Sequence, residues 1–253
     1  MTRTGTAAAV VLAGGSGTRV GAGRNKVYLP LGGRCVLAWS LATFAGLPEV
    51  DVLVLVVRPG DLPLAREMLD RELPASASAR VEIADGGATR QDSELSALRH
   101  LADRIGTGGI EVVLVHDGAR PLVSAALVRS VLAAARAEGG AVPGLPHDDL
   151  AAVDGGGRLT GPAPPGLVSV QTPQGFRAAP LLAAYEAAAR AGFSGTDTAA
   201  CVERFGDLPV RGVPGDPRNL KITYPHDLAV AERLLTTAIP LPGSPRPIGG
   251  TSS

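Results

Sequence analysis

The clearest indication of the fold is Ala7-Ala-Ala-Val-Val-Leu-Ala13, which is followed directly by Gly14-Gly-Ser-Gly-Thr-Arg19. Seven apolar residues in a row are typical of a strand that is buried on both faces, as in a parallel sheet covered by helices. The glycines at 14, 15 and 17 lack Cβ atoms, so backbone N–H groups in the loop can close around phosphate oxygens. The stretch therefore predicts a buried strand that ends in an anion-binding loop.

This loop differs from the two common glycine-rich phosphate motifs. It does not end in Lys-Ser or Lys-Thr, as a Walker A motif does, and Val20 stands where the dinucleotide fingerprint has its third glycine. Arg19, Arg24 and Lys26 follow the glycines. A glycine-rich turn with cations suits a triphosphate, because negative charge grows on the departing pyrophosphate. The alternative is an ordinary strand-to-helix turn with solvated charges.

The following part of the chain alternates short apolar runs with longer helical patterns. Together these predict an α/β fold, a Rossmann-like and mostly parallel sheet flanked by helices. In such sheets ligands bind at the carboxyl ends of the strands, so the loops after Ala13, Ala84 and His116 are expected to converge. The predicted strands are 7–13, 51–57, 81–84 and 111–116, and the predicted helices are 36–44, 62–73, 91–104 and 125–138.

The pattern changes at about residues 142–172, where Pro- and Gly-rich segments bracket a polar stretch. This composition indicates an arm that protrudes from the sheet. Beyond the arm we expect helices at 179–191, 198–205 and 225–235, and strands at 208–213 and 220–223. The prediction is a single domain at 7–236, with a flexible N-terminus at 1–6 and a disordered tail at 237–253.

The composition excludes several classes of protein. With 24 Lys and Arg against 24 Asp and Glu in 253 residues, the formal net charge is zero, which argues against bulk attraction to nucleic acid or anionic membranes. A hydrophobic content of 45% argues against disorder. Cys35 and Cys201 offer neither a disulfide framework nor a zinc spacing and are expected to be buried thiols. The apolar run before Gly14 is too short to span a membrane, and we expect a cytoplasmic protein.

Asp117 is the first candidate ligand beyond the N-terminal loop. It lies in His116-Asp-Gly-Ala-Arg-Pro121, at the end of the fourth predicted strand. A carboxylate at this edge can bind Mg²⁺ that bridges phosphates. Arg120 in the same segment either binds phosphate or pairs locally.

Two further segments carry candidate contacts. Gly86 and Gly87 follow the third predicted strand, where glycines allow close approach to a base or ribose, and Ser93 can donate a hydrogen bond there. Arg90, between them, is either a phosphate contact or part of a structural pair. Lys221 alternates with apolar neighbours on the predicted strand 220–223, which suggests an inward anionic partner, with an edge strand as the alternative.

Taken in order, these motifs resemble one family. The strand with Leu12-Ala-Gly-Gly-Ser-Gly-Thr-Arg19 is similar to the start of many nucleotidyltransferases. The resemblance narrows to the 2-C-methyl-D-erythritol 4-phosphate cytidylyltransferases of the isoprenoid pathway and the related ribitol-5-phosphate cytidylyltransferases, and it runs from about residue 7 to 235. The narrowing motifs are His116-Asp-Gly-Ala-Arg-Pro121, Gln171-Thr-Pro-Gln-Gly-Phe176, Thr196-Asp-Thr-Ala-Ala200 and Leu220-Lys-Ile-Thr-Tyr-Pro-His-Asp-Leu228.

The resemblance implies a fold of the nucleotide-diphospho-sugar transferase type and a transfer of CMP from CTP to a phosphorylated polyol, with Mg²⁺ as the cofactor. It also implies a homodimer that exchanges arms. Arg19, Lys26 and Lys221 would stabilise the α-phosphate and the pyrophosphate. Asp117, Arg120 and Thr196 would contact the acceptor substrate, with Asp117 also on the metal. The nucleotide would be held by Leu12, Ala13, Gly14, Gly15, Gly17, Gly86, Gly87 and Ser93.

The arm departs from the family pattern. Family arms usually carry an Asp-Thr-Ile-Lys-like run and an Arg upstream of the Gln-Thr-Pro-Gln motif, whereas here Asp148-Asp149-Leu150-Ala151-Ala152 and Pro164 stand there. Either the acceptor differs, or another cation such as Arg158 substitutes. Asn25 also replaces the usual Pro before Lys26.

Three alternatives to the methylerythritol phosphate enzyme are open. The first is a cytidylyltransferase for another polyol phosphate such as ribitol 5-phosphate. The second is a sugar-1-phosphate or molybdopterin nucleotidyltransferase, which shares the glycine-rich start. The third is a non-catalytic homologue that binds nucleotide.

Overall fold

A computed structural model describes residues 6–15, 25–147, 149–195 and 197–237 of the chain. Its strands are β1 (Thr6–Leu12), β2 (Pro30–Leu31), β3 (Arg34–Cys35), β4 (Val50–Val57), β5 (Val81–Asp85), β6 (Ile110–Asp117), β7 (Gly140–Pro146), β8 (Ala151–Val153), β9 (Leu159–Pro162), β10 (Val168–Val170), β11 (Gln174–Arg177) and β12 (Val210–Pro214). Its helices are α1 (Val36–Ala45), α2 (Leu62–Glu72), α3 (Ala75–Ser78), α4 (Arg90–His100), α5 (Ala102–Gly106), α6 (Ala125–Glu138), α7 (Ala178–Arg190), α8 (Thr198–Phe205) and α9 (Pro225–Thr236).

The central sheet has eight strands among the described residues, in the order β10-β7-β11-β6-β1-β4-β5, with β12 beside β7. Strands β6, β1, β4 and β5 run parallel to one another, and β11 runs antiparallel to β6. The predicted α/β fold, a mostly parallel sheet flanked by helices, is confirmed.

Helices cover both faces of the sheet, so the core lies on both faces and β1 is buried between them. Ala7, Ala9 and Val11 pack with α1, α2 and α6, whereas Ala8 and Val10 pack on the other face with α4, α5, α7 and α8. Removing a Val or Leu side chain from water contributes about 1.5–3 kcal/mol, so a strand that buries both faces is strongly fixed in place. This is the physical reason for the continuous apolar run in the sequence.

The register of the parallel strands brings their carboxyl ends to one edge. Leu12 pairs with Val56 on one side and with Asp117 on the other. Just beyond, the Gly118 N–H donates to the Leu12 carbonyl at 2.9 Å. A Cβ atom on Gly118 would lie 2.8 Å from Leu37 Cδ1 and 2.9 Å from the Leu12 oxygen, so only glycine fits there. The loops after β1, β5 and β6 therefore converge, as the sequence predicted.

Both ends of the predicted arm at 142–172 belong to the main sheet. β7 begins at Gly140, and Ala141 and Val142 are buried, while β10 pairs antiparallel with β7. The part outside the main sheet is the antiparallel hairpin of β8 and β9. The strand β7 was not predicted from the sequence, because it contains prolines and glycines and is only partly apolar.

Two smaller predictions were wrong, and one strand of the main sheet was missed. Residues 220–223 form no strand, because buried Ile222 packs against α9 and its N–H donates to the Ala119 carbonyl instead of to a neighbouring strand. The helix predicted at 91–104 is two helices, α4 and α5, with Leu101 between them. The short antiparallel strand β11 was not predicted at all.

Some expectations on the ends and on the thiols can also be compared. Thr6, assigned to the flexible N-terminus, is the first residue of β1. Residues 1–5 and 238–253 lie outside the described residues. Cys35 and Cys201 are buried and unpaired, as predicted. In the described part of the chain, no helix combines the length and apolar character that a membrane crossing requires.

Candidate active site

A cleft of about 650 Å³ opens at the edge of the sheet where β1, β4, β5 and β6 end. This volume lies within the range of small-molecule sites, and the position matches the place where open α/β sheets bind ligands. Backbone from glycine-containing loops and several cationic side chains form its walls. The described wall residues include Leu12, Gly14, Gly15, Asn25, Lys26, Arg58, Gly86, Gly87, Thr89, Arg90, Ser93, Asp117 and Lys221.

The loop between β5 and α4 is held rigidly by its own hydrogen bonds. Ser93 Oγ accepts the Gly87 N–H at 3.1 Å and donates to the Thr89 carbonyl at 2.9 Å. Thr89 and Asp92 cap the start of α4 reciprocally. A Cβ on Gly87 would lie only 2.3 Å from Asp92 Cβ, so the fold itself demands glycine there. Around Gly15, by contrast, a Cβ would meet no described atom within 4 Å.

Asp117 forms ion pairs with two cations of the cleft wall, Lys221 and Arg90. Its Oδ2 accepts from Lys221 Nζ at 2.7 Å, and its Oδ1 lies 3.3 Å from Arg90 Nη2. Burial alone would raise the pKa of the Asp117 carboxyl, but the positive charges of Arg90 and Lys221 outweigh it and hold the pKa well below its usual value. Asp117 is therefore ionised at neutral pH, and its negative charge orients two cations that line the cleft.

His116 lies beneath this wall and is fully buried. Burial lowers the pKa of His116 to about 4, so its imidazole is neutral. Its Nε2 lies 3.2 Å from the Arg120 carbonyl, which can only accept, so Nε2 carries the proton. Its Nδ1 then accepts from the Thr172 hydroxyl at 3.2 Å, and that hydroxyl in turn accepts the Asp117 N–H at 3.0 Å. The hydrogen bonds of His116 and Thr172 therefore fix the backbone of Asp117.

The two glutamines that flank Thr172 tie remote loops to the sheet. The Gln171 amide accepts the Asp216 N–H at 3.0 Å and donates to the Asp216 carbonyl at 2.9 Å. Gln174 donates to Asp197 Oδ2 at 2.9 Å and accepts the Ala199 N–H at 3.0 Å. The Gln-Thr-Pro-Gln motif thus anchors the loop that leads toward Lys221 and the start of α8.

Asn25 is a site residue that the sequence analysis recorded only as a departure from the family. Its buried Nδ2 donates to the Ala13 carbonyl at 2.6 Å and to Asp61 Oδ2 at 3.1 Å, while its Oδ1 accepts the Val27 N–H at 3.3 Å. Asp61 also accepts from Arg58 Nε at 3.0 Å. One amide therefore joins the end of β1, the backbone beside Lys26 and the loop after β4.

The family described as 2-C-methyl-D-erythritol 4-phosphate cytidylyltransferase matches residues 7–237. The chain belongs to this family. A cytidylyltransferase of that name from Cereibacter sphaeroides is 43% identical over 92% of this chain and 98% of its own length. Another from Geobacter metallireducens is 40% identical over 92% of this chain and 98% of its own length.

Solved structures of the cytidylyltransferase family share the fold. That of 4-diphosphocytidyl-2C-methyl-D-erythritol synthase from Anaerococcus prevotii has a TM-score of 0.79 at 28% identity and covers 92% of this chain and 97% of its own. The 2-C-methyl-D-erythritol 4-phosphate cytidylyltransferase from Thermus thermophilus has a TM-score of 0.68 at 35% identity, with 90% and 98% covered.

The structure brings most of the described candidate residues of this cytidylyltransferase family member together. The cleft wall contains Leu12, Gly14, Gly15, Lys26, Gly86, Gly87, Ser93, Asp117 and Lys221. Ala13 lies just behind the wall, with its carbonyl bound by Asn25. Gly17, Arg19, Arg24 and Thr196 lie outside the described residues. The ligand contacts of all these residues stay predictions.

The two arginines that the sequence left ambiguous lie in different positions relative to the cleft. Arg120 is not among its described lining residues, and its Nη1 donates to the Asn219 carbonyl at 2.7 Å. Its contact with the acceptor stays a prediction. Arg90 does line the cleft while it pairs with Glu94 and Asp117. It was not among the predicted site residues, because nothing local in the sequence shows that Asp117 lies beside it.

The described residues suit a metal ion that arrives with a phosphate ligand. Nowhere in the described ranges do three His, Cys, Asp or Glu side chains come close enough together to hold a metal by themselves. Asp117 is the only carboxylate on the described wall, and its hard, ionised oxygens are the kind that Mg²⁺ shares with phosphates and water. This single carboxylate fits a Mg²⁺ ion that is borne by a nucleotide.

Proposed function

We propose that this protein transfers CMP from CTP to 2-C-methyl-D-erythritol 4-phosphate and releases pyrophosphate. The observation that carries the proposal is the cleft at the strand ends, in which glycine loops face Lys26, Arg90 and Lys221. The substrates in this proposal are those indicated by the family that matches residues 7–237 and by the names of the relatives.

The reaction requires no protein nucleophile. An ionised oxygen of the acceptor phosphate attacks the α-phosphorus of CTP, the bond from that phosphorus to the oxygen of the β-phosphate breaks, and the pyrophosphate leaves with the electron pair. The new phosphoanhydride joins CMP to the acceptor. Because a phosphate monoester is already a nucleophile, the protein's contribution is positioning and charge stabilisation.

The wall residues suit these two tasks. Lys26 and Lys221 line the cleft and would stabilise charge on the α-phosphate and the departing pyrophosphate. The resemblance in sequence gives Arg19 the same role. A Cβ at Gly15 would meet no described atom within 4 Å, and the Gly86–Gly87 turn is rigid, so both suit the close approach of a nucleotide. Asp117 keeps Lys221 and Arg90 in fixed orientations, so these cations do not have to reorganise during the reaction.

We also propose that Asp117 is the protein ligand of Mg²⁺ that accompanies CTP. When bound, the ion would neutralise phosphate charge. Support comes from its place at the carboxyl end of β6, as the one carboxylate among the described lining residues of the cleft.

We also propose that the protein forms a homodimer through the arm. We further propose that it is located in the cytoplasm. Exposed large apolar side chains are concentrated between residues 150 and 170, and Leu159 is 76% exposed at the start of β9. Such a concentration is typical of an interaction surface. The two free thiols suit a reducing compartment.

A second acceptor is worth testing because of the charge of the arm. Between residues 149 and 170 the only cation is Arg158, and Asp149 places a carboxylate where the family pattern has other residues. An acceptor phosphate held across a dimer would find few positive partners there. Ribitol 5-phosphate is therefore the competing acceptor.

Pyrophosphate release tests the function directly. The purified protein is incubated with Mg²⁺, one of CTP, UTP or GTP, and one of methylerythritol 4-phosphate, ribitol 5-phosphate or a sugar 1-phosphate. We expect release with CTP and methylerythritol 4-phosphate, and loss of release in Lys26→Ala. A higher kcat/KM with ribitol 5-phosphate would identify that compound as the acceptor. A preference for UTP or GTP would identify a nucleotide donor other than CTP. CTP binding without turnover on any acceptor would identify a non-catalytic homologue.

A further inference from the structure

Three helices meet at the carboxylate of Glu94, directly behind the cleft. Glu94 lies on α4, and its side chain is fully buried. Oε1 accepts from the Thr198 hydroxyl of α8 at 2.7 Å, and Oε2 accepts from the Tyr185 hydroxyl of α7 at 2.7 Å. Arg90, one turn earlier on α4, places Nη1 2.6 Å from Oε1. Every partner of this carboxylate is a donor.

The counter-charge of Glu94 is Arg90. Burial raises the pKa of the Glu94 carboxyl, and the positive charge of Arg90 opposes that rise. Buried ion pairs are often no more stable than apolar residues of the same volume. The contribution of this pair to folding is therefore a weak explanation for it, and its effect on the geometry of Arg90 is a stronger one.

Arg90 joins Glu94 to the charged wall of the cleft. While Nη1 faces Glu94, Nε and Nη2 face Asp117 Oδ1 at 3.4 and 3.3 Å. Asp117 Oδ2 accepts from Lys221 at 2.7 Å, while Arg120 Nε lies farther from the same oxygen, at 4.0 Å. Glu94, Arg90, Asp117 and Lys221 thus form a row of alternating charge that runs from the buried helices to the cleft.

We propose that Glu94 is a positioning residue for the transfer reaction: it holds the Arg90 guanidinium between two carboxylates and so fixes the pairing of Asp117 with Lys221 at the wall. This inference rests on the proposed function. Without the Glu94 charge, Asp117 is the one described carboxylate left against Arg90, whose Nη1 keeps only the Thr198 hydroxyl at 3.4 Å. The arrangement of Asp117 and Lys221 is then no longer fixed. Alignment in the transition state is then lost, while the backbone loops at Gly14, Gly15 and Gly86 are untouched.

The test is a double-mutant cycle between Glu94 and Arg90, read by steady-state kinetics with CTP and the accepted polyol phosphate. We expect Glu94→Gln to lower kcat about tenfold or more and to change the KM for CTP by less than about threefold. In an Arg90→Gln background, the same Glu94→Gln change is expected to lower kcat by no more than about twofold, since its effect acts through Arg90. Tyr185→Phe is the matched control, because it removes a hydrogen bond from the same carboxylate without touching Arg90.

The control separates positioning from a merely structural role. Tyr185→Phe is expected to lower the melting temperature while kcat stays within about threefold of the wild type. Unchanged kcat in Glu94→Gln, equal losses in both backgrounds, or equal losses in Tyr185→Phe and Glu94→Gln would each overturn the inference. If Glu94→Gln does not fold, Glu94→Asp is put through the same cycle, because its side chain is one methylene shorter and withdraws the carboxylate from the Arg90 guanidinium, which it now contacts at 2.6 Å. The same loss of kcat is then expected from the lost contact rather than from a lost charge, and the same outcomes overturn the inference. Absence of turnover in the wild type would instead refute the proposed function, and the inference with it.

Discussion

The Lys221 ammonium donates to Asp117 Oδ2 at 2.7 Å, although the two residues lie 104 positions apart in the sequence. Asp117 ends β6 on the sheet, and Lys221 lies in the irregular segment that precedes α9. The pair closes one wall of the cleft and sets the direction of a cation toward the space where a phosphate would bind.

Two substitutions of Lys221 distinguish the effect of its charge from the effect of its size. Lys221→Gln is expected to lower kcat by about 100-fold, as the loss of one preorganised donor does at other charged transition states. Because the Lys221 side chain is 41% exposed, the free energy of unfolding should change by less than about 1 kcal/mol. Kinetics and thermal denaturation measure the two effects. Lys221→Arg, which keeps the charge, should retain more activity; equal losses in both variants would contradict a charge-based role.

Two glycines of the cleft form a matched pair. Gly87→Ala should destabilise the fold by about 1–3 kcal/mol, because its Cβ would overlap the first turn of α4. In Gly15→Ala the new Cβ would contact none of the described atoms, so the melting temperature should be unchanged, but CTP binding should weaken if the loop wraps the nucleotide. Thermal shift and calorimetric titration with CTP test both. Wild-type CTP affinity in Gly15→Ala would argue against that role of the loop.

Asn25→Ala would break the junction behind the nucleotide loop. It leaves the Ala13 carbonyl and the Val27 N–H without their partner, at a cost of about 1–3 kcal/mol, and it should raise the KM for CTP because Lys26 loses its support. Ser124→Ala is the control. Its hydroxyl caps α6 by accepting the Leu127 N–H, so its loss should destabilise the protein without changing the KM. An unchanged KM in Asn25→Ala would limit Asn25 to a folding role.

The thiols make stability sensitive to alkaline pH. Burial raises the pKa of Cys35 and of Cys201 to about 11, from 9.0. A group whose pKa is raised on folding stabilises the protein below its unfolded pKa, and this contribution is lost as the pH rises from about 9 to about 11. We expect slow labelling of the folded thiols at about pH 8 and a shallower alkaline loss of stability in Cys201→Ala. Labelling as fast as in denaturant would show that the thiols are exposed.

The exposed apolar arm gives a test of assembly. The double variant Leu159→Lys and Val168→Lys is expected to convert a dimer into monomers, because two charges would be buried at the contact. Light scattering after size exclusion measures the mass. Leu64→Lys is the control, since Leu64 is an exposed apolar residue on α2, outside the arm. A wild type that is already monomeric, or a variant that stays dimeric, would exclude the arm as the interface.

Local pattern was sufficient to predict the parallel half of the sheet and its ligand edge. A strand buried on both faces, such as β1, has to be apolar throughout, and its carboxyl end has to meet its neighbours. The residues that the sequence could not place act through distant partners. Nothing near Asn25 indicates that its amide reaches Asp61, and nothing near Arg120 indicates that it donates to the Asn219 carbonyl.

The same reason accounts for the false strand at 220–223. Leu220 and Ile222 alternate with polar residues because a loop packs its apolar side chains under α9, and this produces the period of a strand without a neighbour to pair with. Alternating burial alone cannot distinguish a strand from a loop that packs in this way. The presence of a partner strand does distinguish them, but the local sequence does not show whether such a strand lies alongside.

Gly118 has a consequence for how enzymes of this shape diversify. Its N–H is bound to the Leu12 carbonyl, and no larger residue fits between that oxygen and Leu37, so the junction of β1 and β6 beside the cleft can neither widen nor gain a side chain. A new acceptor therefore has to be accommodated away from this junction. The hairpin of β8 and β9, with its exposed side chains, is free to vary, and selection for a different substrate is expected to leave its substitutions there.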